Sequence, residues 1–269
     1  MKIFSFLLFV LMTTPVLANS YAHIDRVYQN VEPVASINPH VALSMELLES
    51  IKKHDTNQTD KVLKQIAEIP FDELVNSLDT KQKKLAFWMN IYNAFVQIEL
   101  IADPKLFENK GPFYSDKRHW VAGLNLSYDN IEHGIIRNSR AKYSLGYFKR
   151  LGVKKWERRL RNKDIDGRVH FALNCGAISC PPVAVYNDLE IEEQLDKVNR
   201  IYLKENTTIE GKNLNTTPLF SWFRGDFGGK KEVKKFLMQY EAIPKDKTKY
   251  NLKFNPYDWT LLTENYIDL

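Results

Sequence analysis

LAFWMNIYNAFVQIELI, residues 85–101, is the stretch whose reading decides the fold. Its apolar positions nearly encircle a helix instead of forming one stripe, which predicts a helix buried at the centre of the protein. Asp79 or Thr80 can cap its start, and Asp103-Pro104 stops it near Ala102. Asn90 and Asn93 stand three apart and therefore share a face. Buried amides must be hydrogen-bonded. The pair is expected mainly to clamp a neighbouring loop, with lining a site as the other reading.

Working outward towards the N terminus, the spacing of Val41, Ala42, Met45, Leu47, Leu48 and Ile51 predicts a helix. Residues 60–69 predict a second, ended by Pro70, and residues 71–78 a short third. The first residues read MKIFSFLLFVLMTTPVLA, with Lys2 ahead of an apolar run and small residues at 16 and 18. That pattern predicts a signal peptide over 1–18, cleaved to start the mature chain near Asn19. The run is too short to span a bilayer, which takes about 20 residues, and no cysteine follows it for lipid attachment. The chain is thus expected to be exported, periplasmic or secreted, with no transmembrane segment after cleavage.

Working towards the C terminus, residues 104–117 read as a loop around Gly111-Pro112, and His119 to Leu126 as a strand pair around Gly123-Leu124-Asn125. Ser127 can cap a helix with IEHGIIR as its body. Residues 141–165 are basic, with KKWERRLR as an exposed helix. The run reads as a solvated face, with nucleic-acid or anionic-surface binding the lesser alternative because no stacking pattern accompanies it. RVHFALN (168–174) reads as a strand, CGAISCPP (175–182) as a loop, and Asn187 or Asp188 caps a helix ending near Lys204. Thr207 to Asn215 reads as a hairpin turning at Gly211-Lys212, SWFRGDFGG (221–229) as a loop or broken helix, residues 231–240 as a helix, and the tail as strand-like. The expected class is α+β, helix-rich with a small sheet. Residues 19–78 form an N-terminal helical region and 79–269 the main domain, together one compact unit.

With 269 residues, 44% hydrophobic and 26% charged, the composition excludes a mostly disordered chain. The formal charge of +5 is too small at this size to imply nucleic acid. Cys175 and Cys180 are the only cysteines. A strand would deliver Cys175 to its end beside a glycine, exposed to a substrate. Catalysis by a thiol then needs an activating base. His170 precedes Cys175 by five residues, which puts the two on opposite faces of a regular strand, while Asn174 shares the face of His170. His133 carries no such objection: Asp129 lies one helical turn before it and Arg137 one turn after. Glu132 is adjacent but points about 100° away on an ideal helix. Three readings of the cysteines compete. The first is a thiol nucleophile served by His133, the second a Cys175–Cys180 disulfide favoured by export, and the third a metal site, disfavoured by spacing. The first is preferred, with no metal and no cofactor.

FWMNIYNAF (87–95), SYDNIEHGIIR (127–137), VHFALNCGAISCPPV (169–183) and YDW (257–259) together resemble the bacterial and plant family called domain of unknown function 547, over roughly residues 80–205. The family name confers no reaction. The resemblance implies that Cys175 matters more generally than Cys180, and it brings Glu132 forward beside Asp129 as the third member of a site with His133. It further implies a papain-like thiol-hydrolase fold with rearranged chain order. The expectation is a hydrolase acting on amide, peptide or thioester bonds of a small-molecule or peptide substrate, with no nucleic-acid partner. Cys175 would be the nucleophile and His133 the base, oriented by Glu132 or Asp129. The Asn174 amide or backbone N–H groups around Gly176-Ala177 would hold the oxyanion. Asn90, Asn93, His170, Cys180 and Arg137 would support the site. The alternative is a non-catalytic ligand-binding or scaffold module with a structural disulfide.

Overall fold

Four helices open the described part of the chain, residues 35–245 and 249–269 of a computed structural model: α1 (Pro39–Lys52), α2 (Thr56–Glu68), α3 (Phe71–Ser77) and α4 (Lys81–Ala102). The expected signal peptide and the lead-in that follows it lie outside the described residues up to position 34. Ile37–Leu269 forms one compact unit. Asn38 caps α1 by accepting the N–H groups of His40 and Val41, and Thr80 caps α4 by accepting that of Lys83. α4 is long and apolar enough to cross a membrane by those measures alone, yet 78% of that stretch is buried inside the protein. Phe87, Trp88, Met89, Ile91 and Tyr92 are all buried. α1 packs across α4 and α2.

Residues 104–115 are helical where the sequence predicts a loop: a 3-10 turn (Pro104–Glu108) and then α5 (Lys110–Ser115). Pro112 lies in the first turn of α5, where its missing N–H has no helical partner to lose. The predicted strand pair forms as β1 (His119–Val121) and β2 (Leu124–Leu126), antiparallel. Its two-residue turn is Ala122-Gly123, both at positive φ as such a hairpin requires. Ser127 Oγ accepts the N–H of Asn130 as predicted. The helix it opens is a π-helix over Asn130–Ile136 and not an α-helix. Bonds such as Arg137 N–H to Glu132 O, 2.8 Å, close over five residues.

The basic stretch contains α6 (Lys155–Leu160). Its outer residues are exposed, but Glu157 is buried and takes hydrogen bonds from Ser139 (2.6 Å) and Arg150. The predicted strand at 168–174 is absent: Gly167–Phe171 is a 3-10 helix. Asp166 caps this turn by accepting the Arg168 N–H. Val169 and Phe171 then enter two different hydrophobic clusters, one built around α4 and one around Phe220 and Leu237. The run is apolar enough for a strand, but Val169 and Phe171, which would share one face of a strand, feed separate cores, and among the described residues no strand is paired with it.

α7 (Ile191–Glu205) begins later than predicted. Asn187 instead makes a turn, its Oδ1 accepting from Leu189 and Glu190, and Asp188 accepts the Asn38 N–H at 3.1 Å. β3 (Thr208–Glu210) and β4 (Asn213–Thr216) form the predicted hairpin at Gly211-Lys212. α8 (Leu219–Trp222), a 3-10 turn (Arg224–Phe227) and α9 (Lys230–Gln239) follow. β5 (Asn251–Phe254) then pairs parallel to β4. The class is therefore α+β, helix-rich, with two small sheets. The last residues run back along the cysteine loop. Ile178 N–H reaches Thr260 O, Leu262 N–H reaches Gly176 O and Val183 N–H reaches Asn265 O, at 2.7–2.8 Å.

Candidate active site

The cysteine loop is fixed from below by the two α4 amides. Asn93 Nδ2 donates to Ala172 O (3.0 Å), and its Oδ1 accepts the Asn174 N–H (2.9 Å). Asn90 does the same to Tyr186, accepting its N–H and donating to its carbonyl, and also donates to Ser44. The clamp expectation thus describes both residues, three apart on one face. Asn174 closes the loop on itself: Nδ2 donates to Pro181 O (2.8 Å) and Oδ1 accepts the Gly176 N–H (2.9 Å). Of the donors expected for an oxyanion, the Gly176 N–H and one N–H of the Asn174 amide are therefore spent on loop structure. Gly176 has φ +94°, and a Cβ there would lie 2.4 Å from Leu100 Cδ1, so the loop turns tightly against α4 at a position only glycine fills.

Cys175 and Cys180 are joined in a disulfide with a Cα–Cα distance of 6.1 Å. The expectation that preferred a free thiol is corrected on this point. The short loop, clamped at both ends, brings the two residues within bridging distance. Cys180 is buried. Cys175 is half-buried and lines a cavity of about 380 Å³. The Tyr257 hydroxyl lies 3.4 Å from the Cys175 sulfur and 3.1 Å from that of Cys180. Burial raises the Tyr257 phenol, so it stays protonated.

The cavity also receives Asp129, Glu132, His133 and His170, while Tyr257, Trp222, Phe223 and Trp259 give it aromatic walls. The π-helix carries Glu132 and His133, and Asp129 immediately precedes it. His133 Nε2 lies 3.6 Å from Asp129, the carboxylate one turn before it. Its Nδ1 lies 3.3 Å from Glu132, which the α-helical expectation had turned away. Arg137 reaches the same nitrogen at 2.7 Å. A guanidinium only donates, so Nδ1 accepts and Nε2 carries the proton. His133 is thus a fixed donor, and burial together with Arg137 holds its pKa well below the usual range. An imidazole whose lone pair is occupied by an arginine is poorly suited to be the base.

His170 has the other arrangement. Its Nε2 donates to Asp226 Oδ2 at 2.8 Å, which leaves Nδ1 as the lone-pair nitrogen. Its ring stacks on Phe223 with centroids 3.8 Å apart. The parity objection lapses because the residue lies on a 3-10 helix. Burial pushes His170 down to about 4, with Asp226 pulling the other way. Asp226 ties the two imidazole systems together, since its Oδ2 also accepts from Arg137 Nε at 2.6 Å. Burial works to raise Asp226, but His170 and Arg137 outweigh it and hold it below the carboxylate range. The side chains of Arg137 and Asp226 are wholly buried. Asp226 is the residue at this cavity's edge that sequence reasoning missed. It lay in SWFRGDFGG, whose one signal was an acid between glycines and aromatics. Glu132 is pushed up to about 7 by burial, against the pull of Arg137, which suits it to carry a proton near neutral pH. Among the described residues, no group of three His, Cys, Asp or Glu side chains is placed to hold a metal ion.

These titrations set an expected pH dependence of stability. His119 and His170 are both near 4 by burial, against an ordinary 6.5, and burial with Arg137 also holds His133 well below its ordinary value. The unfolded chain binds protons there that the folded chain refuses. Stability from these groups is complete above 6.5 and falls as the pH drops from 6.5 towards 4. Glu132 acts oppositely, since the folded state keeps a proton between 4.5 and 7, and its contribution fades as pH rises across that window. Three groups oppose one, so the unfolding free energy from urea titrations should climb from pH 4.5 to about 6.5 and then level or dip slightly. A flat profile over that interval would contradict the buried neutral imidazoles.

Residues 75–203 match the model of a family described as protein of unknown function, DUF547. The resemblance is thereby shown over a span that holds three of the four motifs, with the clamps, the π-helix and the cysteine loop, while YDW (257–259) lies outside it. No curated protein and no solved structure matches the chain.

Proposed function

We propose that the chain is an exported thiol hydrolase cleaving amide, peptide or thioester bonds, with Cys175 as nucleophile and His170 as its base. One observation carries this reading: Cys175 and an imidazole held by a buried carboxylate open onto the same cavity. The signal-peptide pattern of residues 1–18 supplies the export part, and the papain-like arrangement implied by the resemblance belongs to the same proposal. The bridged form is the resting state. Two-electron reduction by a dithiol opens it to thiols at Cys175 and Cys180 and leaves the reductant as a disulfide.

In the reduced protein, His170 Nδ1 takes the Cys175 proton and the sulfur attacks the substrate carbonyl. The C–N or C–S bond breaks as the imidazolium protonates the leaving amine or thiol. Water then hydrolyses the acyl-enzyme thioester and restores the thiol. The Tyr257 hydroxyl, close to the Cys175 sulfur, is the donor assigned to the oxyanion in place of Asn174 and Gly176. His133, fixed by Arg137, and Glu132, with its pKa near neutrality, position the substrate and its water.

The test is alkylation after reduction. Iodoacetamide at neutral pH should modify Cys175 before Cys180, at least about tenfold faster than an unactivated thiol, which is only a few per cent thiolate there. Equal, slow modification of both cysteines would end the enzyme reading. A second reading, a ligand-binding module with a permanent bridge, is favoured by the disulfide itself and by the loop N–H groups already spent. It expects ligand binding to be unchanged by reduction and no fast thiol.

A further inference from the structure

We infer that residues 140–163 dock the protein on an anionic lipid bilayer. This stretch holds ten of the 38 Lys and Arg residues and one of the 33 acidic ones, the buried Glu157. Arg150 pairs with Glu157, Arg159 with Asp72 and Lys142 with Asp129. Lys149, Lys154, Lys155 and Lys163 have no acidic partner among the described residues, and all four are exposed.

The charge is interleaved with apolar side chains that the fold turns outward. Tyr143 is 90% exposed, Phe148 72% and Leu151 93%, with Leu145 and Tyr147 about half exposed. They do not stand on a loose strand. Arg140 and Lys149 form an antiparallel bridge, Ala141 N–H bonds Phe148 O at 3.0 Å, and Gly225 N–H bonds Leu145 O at 2.7 Å. Gly146 packs so closely on Asp226 that a Cβ would lie 2.4 Å from its Oδ1. The loop is therefore braced against the buried Arg137–Asp226 pair while its apolar tips face water, an arrangement that solvation alone does not favour.

Cations beside protruding Phe, Leu and Tyr match a negatively charged bilayer. The headgroups attract the lysines and the acyl boundary accepts the apolar tips. Side chains this exposed are protrusions, suited to insertion between lipids. Single-stranded nucleic acid would use stacking rings along a basic groove and has no use for Leu151. Tyr143 and Lys142 also line the cavity, so docking would bring its mouth close to the lipid surface. The inference stands on exposure and charge and holds whether or not Cys175 is a nucleophile.

The experiment is co-sedimentation of the full chain with vesicles of phosphatidylcholine alone or with roughly one quarter phosphatidylglycerol. Binding is expected on the anionic vesicles only and should weaken with salt. F148S/L151S should bind at least about tenfold more weakly. K149S/K154S/K155S should lose more than that, since each cation near such a surface gives about fivefold. All five positions are exposed, and a melting curve superposing on the parent's confirms that each variant folds. Absence of vesicle binding, equal binding to neutral vesicles, or unchanged binding by both variants overturns the proposal. So does finding that F148S/L151S abolishes self-association or nucleic-acid binding while the parent ignores vesicles.

Discussion

Arg137→Met should destabilise the protein by about 3–5 kcal/mol, the size expected when one member of a wholly buried ion pair is removed and its partner stays. Arg137 lies at full burial between Asp226 Oδ2 at 2.6 Å and His133 Nδ1 at 2.7 Å, with its guanidinium 4.4 Å from the Phe223 ring centre. Methionine fills much of the same volume, so the loss comes mainly from the orphaned carboxylate and only secondarily from packing. For a domain of this size each kcal/mol moves the melting temperature by about 2–4 °C, so the shift should be obvious in a thermal scan. Two further measurements separate charge from packing. Arg137→Met with Asp226→Leu should recover a substantial part of the loss, because neither charge then remains buried alone. The penalty for Arg137→Met alone should also shrink on going from pH 8 to pH 5. With the guanidinium gone, His170 can take a proton to keep Asp226 paired, which acid favours. A penalty independent of pH and not relieved by the double change would show that Arg137 acts only as filler.

How much of this was legible in the residues differs by the range of the interaction. α4 and its two asparagines could be read because apolar periodicity and a three-residue spacing are local, and the amides had to find partners once buried. The hairpin at Gly211-Lys212 was legible for the same reason, since turn chemistry is decided within four residues, and so was the strand pair at 119–126, although its turn is Ala122-Gly123 and the expected Leu124-Asn125 lie in β2. RVHFALN was misread because an apolar run looks alike whether it enters a sheet or a tight helix. What decides is that Val169 and Phe171 serve separate clusters, a fact of tertiary packing. That one misreading decided which histidine was expected to be the base. It set His170 on the wrong face and made His133 look better placed than Arg137 leaves it. Glu132 was turned away by α-helical geometry that the π-helix does not obey. Asp226 stayed invisible because its partners precede it by 89 and 56 residues. The cysteine bridge stayed open as an alternative until the clamps on the loop were seen.

In the reduced protein, His170→Asn should slow alkylation of Cys175 at neutral pH by about tenfold or more, back to the rate of an unactivated thiol that is only a few per cent thiolate there. His133→Gln should cost far less, because the lone pair of His133 is already held by Arg137. The contrast between these two variants is the decisive readout, since both residues are buried on the same cavity and either change perturbs packing to a similar degree. A pH profile removes the remaining ambiguity. If His170 accepts the thiol proton, the parent should react well below the ordinary thiol range of about 8.5, and His170→Asn should return the profile to that range. A purely structural His170 would lower the rate at every pH without moving the curve. Asp226→Asn carries the same logic one step outward. An asparagine oxygen can still accept from His170 Nε2, so the ring stays in place, but the negative charge that stabilises an imidazolium is gone. Its alkylation rate at neutral pH should fall towards that of an unactivated thiol, by about tenfold, and its profile should shift with that of His170→Asn. If Asp226→Asn shifts nothing while His133→Gln does, the base belongs on the π-helix after all, and the role of Asp226 reduces to holding Arg137 in the core.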